Sequence, residues 1–156
     1  MKKIIKRIVV VGFILFLLMQ LYQPAHNSDD GQVLPTHFTK IYNVPANVQT
    51  ILQTSCYDCH SNNTNYPWHS YIQPVRMLME SHIKNGKKDL NFSEFGNYSN
   101  RKQISKLEAI SKQIKSNEMP LSSYTFIHKN AILSSSQKKE VINWIQKTAD
   151  SLSIEN

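Results

Sequence analysis

Both cysteines of this chain fall inside one five-residue window, Cys56-Tyr57-Asp58-Cys59-His60. Two thiols spaced by two residues and followed at once by an imidazole form the attachment signature of a c-type haem. The chemistry demands this order. Each thiol can add across one vinyl group of a porphyrin, and the next residue then projects its imidazole at the iron from the proximal face. Cys56 and Cys59 are therefore candidate attachment residues for one covalent haem, and His60 is the candidate axial ligand of its iron.

Other uses of the spacing fit less well. A thioredoxin-like pair belongs beside alternating strands and helices, and that pattern is missing. A structural zinc site needs four ligands, and neither a second Cys-x-x-Cys nor a spaced pair of histidines accompanies the first. A disulfide between Cys56 and Cys59 would leave His60 without a reason.

The first 25 residues bear on compartment. Lys2, Lys3, Lys6 and Arg7 precede an apolar run over residues 8–19, extended by Leu21 and Tyr22. A basic segment followed by a hydrophobic one reads as a cleaved leader or an uncleaved anchor. No small-residue cleavage site follows, so the expectation is a transmembrane signal-anchor over 8–22, with residues 1–7 cytoplasmic by the positive-inside rule. The rest of the chain is then expected in the periplasm, tethered by a single pass to the inner membrane, which suits c-type maturation.

Of the net charge of +7, four charges sit in residues 1–7, leaving about +3 on the remainder. The remaining lysines are scattered as solvated helix faces would place them, so nucleic acid is not an expected partner. A weak basic rim for an acidic redox protein stays open.

Residues 23–43, with Pro24, Asn27, Ser28, Asp29, Asp30, Gly31 and Pro35, read as a linker, and 44–152 as one haem-binding domain. The domain is helical throughout. Pro45 opens a helix whose Val48, Ile51 and Leu52 share a face ending at Cys56. Pro74 opens a second, with Val75, Leu78, Met79 and Ile83 inward, stopped by Asn85-Gly86. Ile104, Leu107, Ile110 and Ile114 mark a third. Ser134 and Gln137 form a capping box for a last helix carrying Val141, Trp144, Ile145 and Thr148. The fold class is thus all-α, a small cytochrome c-like domain wrapped around its cofactor behind one N-terminal transmembrane helix.

Function turns on the other side of the iron. Met119-Pro120 offers a thioether in a stiffened loop between two helices, and a His/Met pair raises the potential and suits electron transfer. The alternative for Met119 is ordinary gap-filling. His69, His82 and His128 remain open as ligands of a bis-histidine iron. Met77 and Met79 read as core, and His26 and His37 receive no role.

The string from Cys56 through Ser61-Asn62-Asn63-Thr64 to Tyr66-Pro67-Trp68 continues through Ile72-Gln73-Pro74, Gly86, Leu90-Asn91-Phe92-Ser93 and Met119-Pro120 to Tyr124, His128, Ala131 and Trp144. It resembles the bacterial haem-binding domain family, exported and usually membrane-anchored monohaem c-type modules, over about residues 44–147. The resemblance implies that Cys56, Cys59 and His60 are the haem motif and that Met119 and Pro120 are the family's Met-Pro motif. Tyr66 and Trp68 are candidates to pack against the porphyrin or donate to a propionate, against ordinary core packing. Tyr124 and His128 are candidates for propionate contacts or for orienting the ligand loop. Asn91 and Ser93 are expected to satisfy loop backbone, and Trp144 to pack the last helix onto the helix before the haem.

Two functions from different classes follow. One is a monohaem cytochrome passing single electrons between protein partners, with no catalytic residue. The other is a haem sensor or peroxidase-like enzyme with a displaceable sixth ligand, in which His128 or His82 would act as the distal acid–base group.

Overall fold

The structure is a computed structural model and describes residues 1–154. Eight α-helices follow in order: α1 (Lys2–Met19), α2 (Phe38–Ile41), α3 (Ala46–Ser55), α4 (Tyr57–His60), α5 (Val75–Asp89), α6 (Asn100–Lys115), α7 (Ser122–Ile127) and α8 (Ser135–Ile154). Short 3₁₀ segments, Trp68–Tyr71, Phe92–Asn97 and Lys129–Ala131, join them. The expected all-α class holds among the described residues.

The helical periodicities of the sequence reappear as the core. Val48, Ile51 and Leu52 of α3, Leu107, Ile110 and Ile114 of α6, and Val141, Ile145 and Ala149 of α8 are buried together. The long helices α6 and α8 pack against one another, and α3 packs on α8. The capping box forms as expected: Ser134 N–H donates to Gln137 Oε1 at 2.8 Å, and Gln137 N–H donates to Ser134 Oγ at 3.2 Å.

The N-terminal expectation needs correcting. No helix among the described residues is long and apolar enough to cross a membrane. The physical reason lies in the composition of α1. Four cations occupy its first turns, leaving an apolar stretch of about 18 Å at the helical rise against a hydrocarbon core of about 30 Å. Leu21 and Tyr22 do not lengthen it, because the helix ends at Met19. The chain then turns back onto the domain, where Gln20 Oε1 accepts from Gln73 N–H at 2.9 Å. The transmembrane helix is thus withdrawn, and with it the single-pass inner-membrane placement and the periplasmic side inferred from it.

The segment expected as a linker is built into the fold. Phe38 of α2 is fully buried and meets Phe92, Phe95 and Trp144 edge-on at 4.9–5.6 Å between ring centres. Trp144 packs α8 against α2 through Phe38 and Tyr42, and α8 also packs on α3, the helix before the motif, as expected. Upstream, Pro24 O accepts from Arg76 Nη2 at 2.7 Å, and the wholly buried Arg76 also pairs with Glu80 at 3.1 Å and lies over the Tyr66 ring.

Phe38→Ala separates the two readings of this segment. Deleting a fully buried ring should cost about 3–5 kcal/mol, whereas a linker substitution should change stability by less than about 0.5 kcal/mol. Denaturant unfolding of the haem-loaded protein reads the difference, and an unmoved midpoint would return residues 23–43 to the status of a linker.

Candidate functional site

The site is assembled where α3 stops. Cys56 is the C-cap of α3, and the single turn of α4 carries Cys59 and His60. The motif is closed against α5 by Gly86. A Cβ built on Gly86 would stand 2.6 Å from the Cys59 carbonyl oxygen and 3.3 Å from Cys59 Cβ. Only a residue without a side chain allows α5 and the motif to approach this closely. Asn85-Gly86, expected to stop α5, lies inside it, and the helix continues to Asp89.

The end of α5 also fixes the imidazole. His60 Nδ1 is 2.9 Å from Gly86 O and 3.1 Å from Leu90 O. Carbonyl oxygens only accept, so Nδ1 carries the hydrogen and Nε2 keeps its lone pair for a metal. A backbone carbonyl behind a ligating histidine sets the tautomer, orients the ring and strengthens the other nitrogen as a donor.

Two adjoining cavities of about 240 and 270 Å³ open beside the motif, and Ser55, Cys56, His60, Asp89, Met119 and Pro120 line both. The first is walled by Val75, Leu78, Met79, Leu121 and Ile127, the second by Leu90, Phe92, Ile110, Ile114 and Leu133. Of the four residues expected inward on α5, only Ile83 joins the protein interior. Val75, Leu78 and Met79 face this slot instead.

Met119 reaches the slot because of how α6 ends. Asn117, with φ of 60°, takes the left-handed position after Ser116. Glu118 N–H then bonds Gln113 O at 3.1 Å, and Asn117 N–H bonds Ile114 O at 3.3 Å. These are the two bonds of a Schellman turn, which reverses the chain and brings Met119-Pro120 back over the helix end.

The other sequence candidates divide. Tyr124 and His128 line the first cavity, stacked on each other at 4.2 Å, and His69 and His82 line it as well. Tyr66 and Trp68 do not appear in either wall. Tyr66 Oη accepts from Asn27 N–H and donates to Glu80 Oε1, each at 2.8 Å, and Trp68 is 77% exposed. Asn91 and Ser93 do serve the loop after the motif: Asn91 Oδ1 accepts from Ser93 N–H, and Ser93 Oγ accepts from Asn62 N–H, both at 3.0 Å.

Gly86, Asp58 and Asn27 were missed as positioning residues. Asn27 Nδ2 donates to Ser61 O and Thr64 Oγ1, at 2.8 and 2.9 Å, and Asn27 Oδ1 accepts from Lys87 Nζ at 2.6 Å. The adjacency of Asp58 to the cysteines and the place of Gly86 in the family-like string were the available signals; Asn27 carried none.

Burial pushes the Cys56 thiol up to about 12, with neighbouring Cys59 adding to it. The Cys59 thiol rises to about 11, through burial first and the Asp58 charge second. A dithiol redox pair needs the opposite shift, so this environment disfavours the thioredoxin-like alternative. Thiols beside an apolar slot, an imidazole with a free Nε2 and a thioether common to both cavities form a donor set that fits haem.

The helical fold of the described residues, with such a slot, suits a haem-binding protein. A family model described as a haem-binding domain matches residues 14–147, and the chain belongs to that family. Haem, with its iron, is accordingly what the chain binds. No curated protein and no solved structure matches the chain.

Proposed function

We propose that the chain is a monohaem c-type cytochrome that transfers single electrons, with Cys56 and Cys59 as thioether attachment points and His60 and Met119 as the two axial ligands. The observation that carries this reading is the pairing at the slot. His60, its Nδ1 tied to α5, and Met119, held by the Schellman turn, are shared by both cavities, and Cys56 stands beside them.

When bound, haem supplies a one-electron couple, and His/Met ligation places its potential high. The protein's part is to hold both ligands still through the change of charge, to exclude water with the slot walls, and to leave an edge for protein partners. The exposed Trp68 and Phe126 offer apolar contact surface for a donor or acceptor protein.

Absorption spectra of the haem-loaded protein, oxidised and reduced, test the reading. The expected result is a low-spin iron with the weak sulfur-to-iron charge-transfer band at the red end of the visible spectrum. Release of the haem by acidified organic solvent would remove covalent attachment from the proposal.

One observation favours a second reading. His69, His82 and His128 line the same cavity as Met119, so a sensor or peroxidase-like iron with a displaceable ligand would have acid–base groups at hand. A high-spin iron that binds carbon monoxide readily would decide for it.

A further inference from the structure

The chemistry of attachment leaves the two residues between the cysteines unspecified, yet Asp58 uses every oxygen that it has. Its Oδ1 accepts from Asn65 N–H at 3.0 Å, its carbonyl accepts from Thr64 Oγ1 at 2.6 Å, and its Oδ2 accepts from Tyr124 Oη at 2.6 Å. The first two bonds are local. The third spans 66 residues and ties the attachment motif to α7.

α7 begins just after Met119-Pro120 and buries none of its six residues. Phe126 is 76% exposed, and Ile127 faces the slot. Apolar packing therefore holds α7 weakly, and a short bond from a phenol to a carboxylate is among the stronger single ties available to it. Tyr124 Oη also lies 3.5 Å from Thr54 O, on the helix that leads into Cys56. Stacking on Tyr124 sets the His128 ring in the same wall.

We infer that Asp58 and Tyr124 form a clamp that positions the Met119 segment against the iron, so that the residue between the cysteines governs the occupancy of the sixth site. Neither side chain is a ligand. Both act through Met119, and the inference rests on Met119 being that ligand. With the clamp closed, the thioether is held at the slot. With it broken, the loop is restrained by the Schellman turn on one side and the Lys129–Ala131 turn on the other.

Tyr124→Phe removes one hydroxyl and keeps the ring stacked on His128. Haem-loaded Tyr124→Phe should keep its covalent haem and its helix content, while the affinity of the ferrous protein for carbon monoxide rises about tenfold. The sulfur-to-iron band should weaken in the same variant. Asp58→Asn, which weakens the bond by removing the carboxylate charge, should move both readouts in the same direction by a smaller amount, and the double variant should go no further than Tyr124→Phe alone, since a single bond is involved.

Met119→Ala, measured alongside, separates the failures. Parental spectra and carbon monoxide affinity in Met119→Ala would remove Met119 from the iron and the clamp with it. If Met119→Ala opens the iron while Tyr124→Phe and Asp58→Asn match the parent, the clamp alone is overturned. Should Tyr124→Phe fail to load haem, Asp58→Asn reads the same bond from its other end, and loss of haem in both would show a general structural tie in place of control over the sixth site.

Discussion

Replacing Gly86 with alanine is expected to yield a less stable protein that retains less haem, although the same change favours the helix. In isolation, alanine gains about 1 kcal/mol over glycine in a helix interior such as α5. Against that stands a Cβ placed 2.6 Å from the Cys59 carbonyl oxygen. That neighbour is backbone, so no side chain can swing aside, and forcing a methyl into such a contact typically costs about 1–3 kcal/mol. The displacement also falls on the His60 tautomer, because Gly86 O is one of the two acceptors for Nδ1. Valine should load almost no haem. Covalent haem per polypeptide and the denaturant midpoint check this. Full haem content together with a raised midpoint in Gly86→Ala would mean that α5 and the motif do not approach as described.

Gly86 also shows where the sequence was legible. The stripes of α3, α6 and α8 could be read because they pack on other protein elements, and a period of 3.6 describes such contacts well. On α5 the same pattern was visible, but it serves two surfaces: Ile83 enters the protein core, while Val75, Leu78 and Met79 line the slot. Periodicity identifies an apolar face without saying what covers it. A glycine near a helix end signals a stop, and only the three-dimensional neighbour reveals one required for close approach.

The segment before α3 was misread for a related reason. Its polar and turn-forming residues suggest a linker, yet long-range contacts anchor it, the buried ring of Phe38 on one side and polar bonds upstream. Gln73 Nε2 donates to Tyr22 O, Arg76 to Pro24 O, and Asn27 links the loop after the motif to Lys87. Nothing in a one-dimensional pattern announces that Arg76 is fully buried, since its carbonyl, carboxylate and ring partners come from three separate stretches. α1 failed on length: counting apolar residues across a helix end made a short stretch look sufficient. The Cys-x-x-Cys-His motif stands out in the sequence because it is confined to five consecutive residues.

Met119→Ala is the other change with a large expected effect. The haem should stay attached through Cys56 and Cys59, while loss of the thioether opens the iron to carbon monoxide and lowers the reduction potential. Axial-ligand choice spans about 0.8 V across haem proteins, so a fall on the order of 0.1 V or more is expected. Met79 supplies the control, because it is a second thioether in the wall of one of the two cavities. Met119 lines both cavities together with His60, and that position distinguishes a ligand candidate from a wall residue. Met79→Ala should therefore leave the sulfur-to-iron band in place and move the potential little. If the band follows Met79 instead, α5 rather than the turn after α6 would supply the sixth ligand. A potential unchanged in both variants, with the iron low-spin, would direct attention to His69, His82 and His128, which share that wall.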